Sequence, residues 1–143
     1  MTDVILSSFI SLFALFGKEE QVDKVWAKDM LVSYLRHHFG IRNIDIYLDL
    51  YNDMRDAYEM TEGLNTMEAV DSICSTLHGK IRPVEEALLL LRLMEFCSQK
   101  TANFNSMFIT MAEKFEVPDK QFQEFYNYVS NQPSEYVMIH HPA

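Results

Sequence analysis

Positions 83–98 carry the sequence PVEEALLLLRLMEFCS, the strongest helical pattern of the chain. Pro83 suits the first position of a helix, where its missing N–H is not needed, and Glu85 and Glu86 lie near the positive end of the helix dipole. The leucines that follow cover most of the helix circumference. We therefore expect a helix over about 84–98 at the centre of an apolar core.

Turn-forming residues divide the rest of the chain into similar segments. The glycines and prolines fall between periodic apolar stretches, where helices start and stop; they are Gly17, Gly40, Gly63, Gly79, Pro83, Pro118, Pro133 and Pro142. The periodic stretches predict helices over about 4–16, 21–39, 44–58, 66–78, 84–98, 104–115 and 119–129. No stretch alternates at period two, so the sequence predicts an all-α fold of seven helices.

Several helix ends have specific signals. Asn43 and Asp119 are plausible N-caps, and Asn65 has capping-box spacing to Glu68. Gly40 is placed for the left-handed residue that ends a helix. The second helix is expected to bury a stripe made of Val25, Val32, Leu35 and Phe39.

Composition narrows the class of protein. The chain has 143 residues, of which 48% are hydrophobic, which fits one globular domain over about 1–130. Residues 131–143 lose the helical period and are expected to form a tail or the start of a linker. A formal charge of −9 disfavours nucleic-acid binding, and four glycines provide no phosphate-binding loop.

The apolar segment at 4–16 raises the question of a membrane or export signal. Asp3 replaces the basic residues that precede a signal sequence, and the segment is shorter than the roughly 20 residues of a spanning helix. It is expected to be a buried helix, with an interfacial or partner-bound helix as the alternative. Cys74 and Cys97 have no second thiol at metal or redox spacing, which indicates a reducing cytoplasm.

The chain also contains a candidate internal repeat. An offset of 76 positions aligns Phe39-Gly40-Ile41 with Phe115-Glu116-Val117, and it pairs Leu35 with Met111. This predicts two related helical units, although two amphipathic helices also share apolar positions by chance.

The layout resembles the tellurite-resistance TerB-like family. The resemblance is carried by LFALF at 12–16, YLRHHFG at 34–40, LLRLM at 90–94 and FEV at 115–117. The resemblance implies an all-helical fold of two repeats. The opening segment of the chain is also similar to the amino-terminal region of large bacterial proteins that carry an ATP-binding-cassette (ABC) ATPase. It covers the chain up to about residue 130.

The family's acidic metal-binding signature is eroded in this chain. Asp29 matches the glutamate of the first repeat, and Glu19 and Glu20 lie near its Asp-Gly position. In the second repeat, uncharged residues stand at these positions, namely Ser98, Gln99 and Asn105. Hard cations require several anionic oxygens, so the sequence gives only weak metal candidates in Glu19, Glu20 and Asp29, and no cofactor is expected.

Two further groups of polar residues are candidates for a functional role. His37 with His38 and His140 with His141 form a transition-metal site only if the tail folds back, and a helix end with a separate tail is the simpler interpretation. An acidic stripe recurs at spacings of three and four opposite Tyr47, Tyr51 and Met54; it consists of Asp45, Asp49, Asp53, Asp56, Glu59 and Glu62.

The sequence therefore predicts a non-enzymatic interaction or regulatory module, and the resemblance implies that it is the N-terminal part of a larger cytoplasmic ABC-type ATP-binding protein. Its partner-binding residues are predicted to be Asp45, Asp49, Asp53 and Asp56, facing a protein partner or a neighbouring domain of the same chain. The alternative is a stress-response domain that binds a divalent metal, as the tellurite-resistance resemblance implies. Membrane insertion and catalysis are not expected.

Overall fold

Helices account for most of the chain in the computed structural model, which describes residues 3–97 and 106–131. Within these residues they are α1 Asp3–Glu19, α2 Lys24–Ser33, α3 Ile44–Met60, α4 Thr66–Leu77, α5 Pro83–Phe96, α6 Ser106–Lys114 and α7 Asp119–Ser130. A π-helical turn, Tyr34–His38, extends α2. The same residues contain no β-strand, only an isolated bridge between His78 and Ile81. The predicted all-α fold is confirmed.

The first helix occupies the centre of the core. Every residue from Phe9 to Gly17 is buried, and α1 packs against α3, α4 and α5. This confirms that α1 is a buried helix. The expectation that α5 is the central helix is wrong in part, because Val84 is 63% exposed and Leu91 is only half-buried. Both helices are rich in apolar residues, but only α1 is enclosed on nearly every side.

The second helix differs from its predicted course. It begins at Lys24, because the Asp23 carboxylate caps it by accepting hydrogen bonds from the backbone amides of Val25 and Trp26, each at 3.1 Å. Gln21 instead takes a left-handed conformation with φ of 49°. The predicted stripe through Val25 is wrong: Val25 is 69% exposed. The inward face is defined by Ala27, Leu31, Tyr34 and Leu35.

Other helix ends agree with the sequence to different degrees. Asn65 caps α4 by accepting a hydrogen bond from the Glu68 amide at 3.1 Å, and Pro83 opens α5. Asn43 occupies the N-cap position of α3 but makes no side-chain capping bond. Asp119 is not the N-cap of α7, because Pro118 takes that position and Asp119 is the first helical residue.

Gly17 lies inside α1 rather than at its end, so its predicted role as a boundary is wrong. It gives space to α3: a Cβ at position 17 would lie 2.2 Å from the Tyr51 hydroxyl and 3.4 Å from Arg55 Nη1. The buried Arg55 guanidinium donates hydrogen bonds to the Val22 carbonyl at 2.8 Å and to the Tyr51 hydroxyl at 3.0 Å. This contact fixes α3 against the end of α1.

The loops at the two ends of the proposed repeat share one backbone feature. Gly40 and Glu116 both take the left-handed conformation, with φ of 63° and 55°, and they are related by the offset of 76 positions. A phenylalanine, Phe39 or Phe115, immediately precedes each of them. The internal repeat itself stays a prediction.

Two predictions remain, one on membrane insertion and one on the C-terminal tail. Among the described residues, no helix combines the length and apolar character needed to cross a membrane. The predicted tail at 131–143 lies outside the described residues except for Asn131, as do Ser98, Gln99 and Asn105.

Candidate functional site

The four aspartates predicted to bind a partner lie on the outward side of α3. Asp45, Asp49, Asp53 and Asp56 are all exposed. None of them forms a salt bridge with a cation in the described part of the chain. The opposite side of α3 packs on the core through the buried Tyr51, as the sequence predicts.

The same side of α3 carries two exposed apolar side chains that sequence analysis did not single out. Ile46 is 57% exposed and Met60 is 83% exposed. Steps of about 100° per residue place Met60 between Asp49 and Asp53 in angle and Ile46 at the edge of the same arc of about 100°. We call this surface the acidic face of α3; it consists of Asp45, Ile46, Asp49, Asp53, Asp56 and Met60.

The acidic face has no positive charge of its own helix to balance it. Arg55 is the only basic residue of α3, and it is 8% exposed and directed into the core. Its Nε atom lies 3.6 Å from Glu59 Oε1, so Glu59 belongs to the edge of the inward contact. The charge of the acidic face is therefore available to a partner.

A buried carboxylate lies at the turn between α4 and α5. Glu86 is 2% exposed, and its Oε2 atom lies 2.7 Å from Nδ1 of the exposed His78. Burying a carboxylate is costly unless a partner compensates it, and the imidazole N–H supplies that hydrogen bond. The hydrogen bond and the charge of Glu86 raise the pKa of His78 above its usual 6.5. Sequence analysis assigned Glu86 to helix-start electrostatics alone and missed this pair.

We expect the His78–Glu86 pair to make stability depend on pH. The pKa of His78 is higher in the folded chain, so the contribution of the ion pair is fully present below the unfolded-state pKa. It is lost as the pH rises through the folded-state pKa. Urea unfolding of the native protein and of His78→Gln should therefore differ more at about pH 5.5 than at about pH 8.5.

A titration of the His78 ring by NMR checks the cause. Glu86→Gln keeps the shape of the side chain but removes its charge, and it should lower the pKa of His78. An unchanged His78 pKa in this variant, or a stability difference that is constant with pH, would contradict the assignment.

The histidines of the π-helical turn line a small cleft. His37, His38, Tyr34, Arg92 and Glu95 contribute to this cleft of about 280 Å³, together with Phe13, Met30 and Ser33. The His38 ring stacks on the Tyr34 ring with a centroid distance of 5.2 Å, and burial lowers the pKa of His38. An ion pair joins Arg92 to Glu95 across one helical turn. The suggested partners of these histidines, His140 and His141, lie outside the described residues.

The weak metal candidates are not brought together. Glu19 pairs with Lys18 at 2.9 Å, and Asp29 is exposed on α2. Residues 3–97 and 106–131 contain no group of three or more His, Cys, Asp or Glu side chains placed to hold a metal ion. The metal-binding alternative therefore gains no support from this part of the chain.

Both cysteines are buried and free. Burial, with smaller contributions from the nearby Asp71 and Glu86 carboxylates, raises the pKa of the Cys74 thiol to about 12. Burial also raises the pKa of Cys97 well above its usual value. The thiolate form that nucleophilic chemistry requires is therefore disfavoured at both positions.

Comparison of the chain with models of known protein families, with characterised proteins and with solved structures gives no significant match.

Proposed function

We propose that this domain is a non-catalytic interaction module that binds a basic surface through the acidic face of α3. The partner is another protein or a neighbouring domain of the same chain. The observation that carries the proposal is the composition of this face: four aspartates that form no salt bridge within the described residues share it with two exposed apolar side chains, Ile46 and Met60. A partner that neutralises the aspartates also gains apolar contact with these two residues.

Electrostatics favours a basic partner at this surface. Like charges four residues apart on a helix repel each other by about 0.2–0.5 kcal/mol per pair, and Asp45, Asp49 and Asp53 have this spacing. A cationic partner relieves the repulsion. The formal charge of −9 adds a long-range attraction, which acts mainly on the association rate and weakens as salt screens it.

The proposed parent is a larger cytoplasmic protein of the ABC-type ATP-binding class, with this domain as its TerB-like N-terminal part. Sequence motifs support this assignment, above all LFALF at 12–16 and YLRHHFG at 34–40. On this proposal, the acidic face of α3 contacts the neighbouring ATPase domain or a protein that associates with it.

Reversing two charges on the acidic face tests the proposal. Asp49→Lys with Asp53→Lys should leave thermal stability almost unchanged, because exposed charges contribute little to folding. The same double variant should lower the rate of association with the binding partner by about tenfold or more at low salt. The binding partner is the protein or ATPase domain that co-purifies with the full-length protein. Binding to surface-immobilised full-length protein measures the association rate directly. A stepwise increase in salt then shows how strongly this rate depends on electrostatic attraction.

A matched control is available elsewhere on the surface. Asp29→Lys with Glu124→Lys changes the formal charge by the same amount at two exposed positions on α2 and α7. This control should reduce the association rate much less than the α3 double variant. Equal effects of the two double variants would show that net charge, not the acidic face of α3, governs binding, and the proposal would then be wrong.

A further inference from the structure

A groove lies at the corner where the chain turns from α6 into α7. It encloses about 780 Å³, and its apolar lining includes Ala112, Val117 and Phe122. Ile109 also lines the groove and is 43% exposed. The volume falls within the range of about 300–1,000 Å³ that is typical of ligand sites. The groove can therefore accept one or two large apolar side chains.

The charged groups around this groove all have the same sign. Glu113, Glu116 and Asp119 line it and are exposed, and within residues 3–97 and 106–131 no Lys or Arg lines it. The nearest basic residue along α6, Lys114, is paired with Asp71 of α4 at 3.1 Å. An occupant that brings positive charge next to an apolar side chain complements both features of the groove.

Glu116 lies in the turn that follows α6. Its φ of 55° is left-handed, a conformation that costs a residue with a Cβ about 1–2 kcal/mol relative to glycine. Gly40 adopts this conformation in the loop 76 positions earlier. The Glu116 amide donates a hydrogen bond to the Glu113 carbonyl at 3.2 Å, and the Val117 amide donates one to the Ala112 carbonyl at 2.9 Å. This is the Schellman pattern of a helix C-terminus. A glutamate at this strained corner places a carboxylate on the groove, which glycine cannot do.

We propose that the α6–α7 groove binds a short basic amphipathic helix of a partner protein. One apolar side chain of that helix inserts between Ile109 and Phe122, and flanking Lys or Arg residues pair with Glu113, Glu116 and Asp119. This is the helix-in-groove mode of peptide recognition. The groove shares no residue with the acidic face of α3, so the inference does not depend on the proposed function.

A synthetic peptide provides the probe. A fluorescein-labelled twelve-residue peptide of leucine and lysine, with leucines at helical spacing, should bind the full chain, as measured by anisotropy. The same peptide with glutamate in place of lysine should not bind. NMR of the ¹⁵N-labelled protein should place the largest shift changes at Ile109, Val117 and Phe122.

Two variants and a control distinguish binding in the groove from non-specific attraction between opposite charges. Glu113→Gln with Asp119→Asn, and separately Ile109→Ser, should each raise the Kd by about tenfold. Asp29→Asn with Glu68→Gln removes the same number of charges at two exposed positions on α2 and α4 and should raise the Kd less than about threefold. Circular dichroism of each variant verifies that the helices are retained.

Three results would overturn the inference. Equal losses in the groove double variant and in Asp29→Asn with Glu68→Gln would show charge attraction without a site. Shift changes centred on Asp49 and Asp53 would assign the basic helix to the acidic face of α3 instead. Concentration-dependent dimerisation in sedimentation, abolished by Ile109→Ser, would show that a second copy of the chain occupies the groove.

Discussion

Leu90→Ala should lower the free energy of unfolding by about 2–5 kcal/mol, the usual cost of removing a buried leucine side chain and leaving a cavity. Leu90 has 0% exposure and belongs to the same buried cluster as Leu12, Phe13 and Phe16 of α1. Urea unfolding followed by circular dichroism measures the change.

Leu91→Ala is the matched control for this variant. It makes the same chemical change one residue further along α5, at a position that is only half-buried. Helix propensity changes equally in both variants, so the difference between them reports burial. A loss below about 1 kcal/mol for Leu90→Ala, or an equal loss for the two variants, would show that this side of α5 is not in the core.

Gly17→Ala should also destabilise the protein, although alanine is the better helix former by about 1 kcal/mol. The added Cβ would lie 2.2 Å from the Tyr51 hydroxyl. Tyr51 is 3% exposed, and its hydroxyl accepts a hydrogen bond from Arg55. The ring has little space to move, so we expect a net loss of about 1–3 kcal/mol from overpacking.

Tyr51→Phe isolates the cause of that loss. It removes the hydroxyl oxygen that the new Cβ would meet, so Gly17→Ala should be less costly in the Tyr51→Phe background than alone. A double-mutant cycle by urea unfolding measures this coupling. If Gly17→Ala stabilised the protein, or if the two changes were additive, α1 and α3 would not be in close contact at Gly17.

The helices could be predicted because their signals are local. Apolar period, the Asn65 cap and Pro83 at a helix start each depend on neighbours in the chain, and the structure confirms them. Which of α1 and α5 is more deeply buried depends on the helices that surround each of them. The role of Gly17 likewise depends on a tyrosine 34 positions away. Neither can be derived from local pattern.

The polar residues likewise divide into those with a local sequence signal and those placed by contacts distant in the chain. The aspartates of α3 were predicted to lie opposite Tyr51, and their exposure agrees; their role in binding stays a prediction. Arg55 was overlooked, although its spacing to Tyr51 and Tyr58 places it on the inward face. The burial of Glu86 had no local signal, because it depends on the turn that brings His78 beside it. The α6–α7 groove had none either, since it is formed by two helices together.

Zero-length cross-linking gives the most direct test of the acidic face of α3. A carbodiimide activates a carboxylate, which then forms an amide with a lysine amine when the two groups are in direct contact. Applied to the full-length protein with its natural partners present and followed by peptide mass spectrometry, it should couple Asp45, Asp49, Asp53 or Asp56 to lysines of one partner protein or neighbouring domain. These products should disappear as salt increases. Cross-links confined to carboxylates outside α3, with the four aspartates unmodified, would contradict the proposed function.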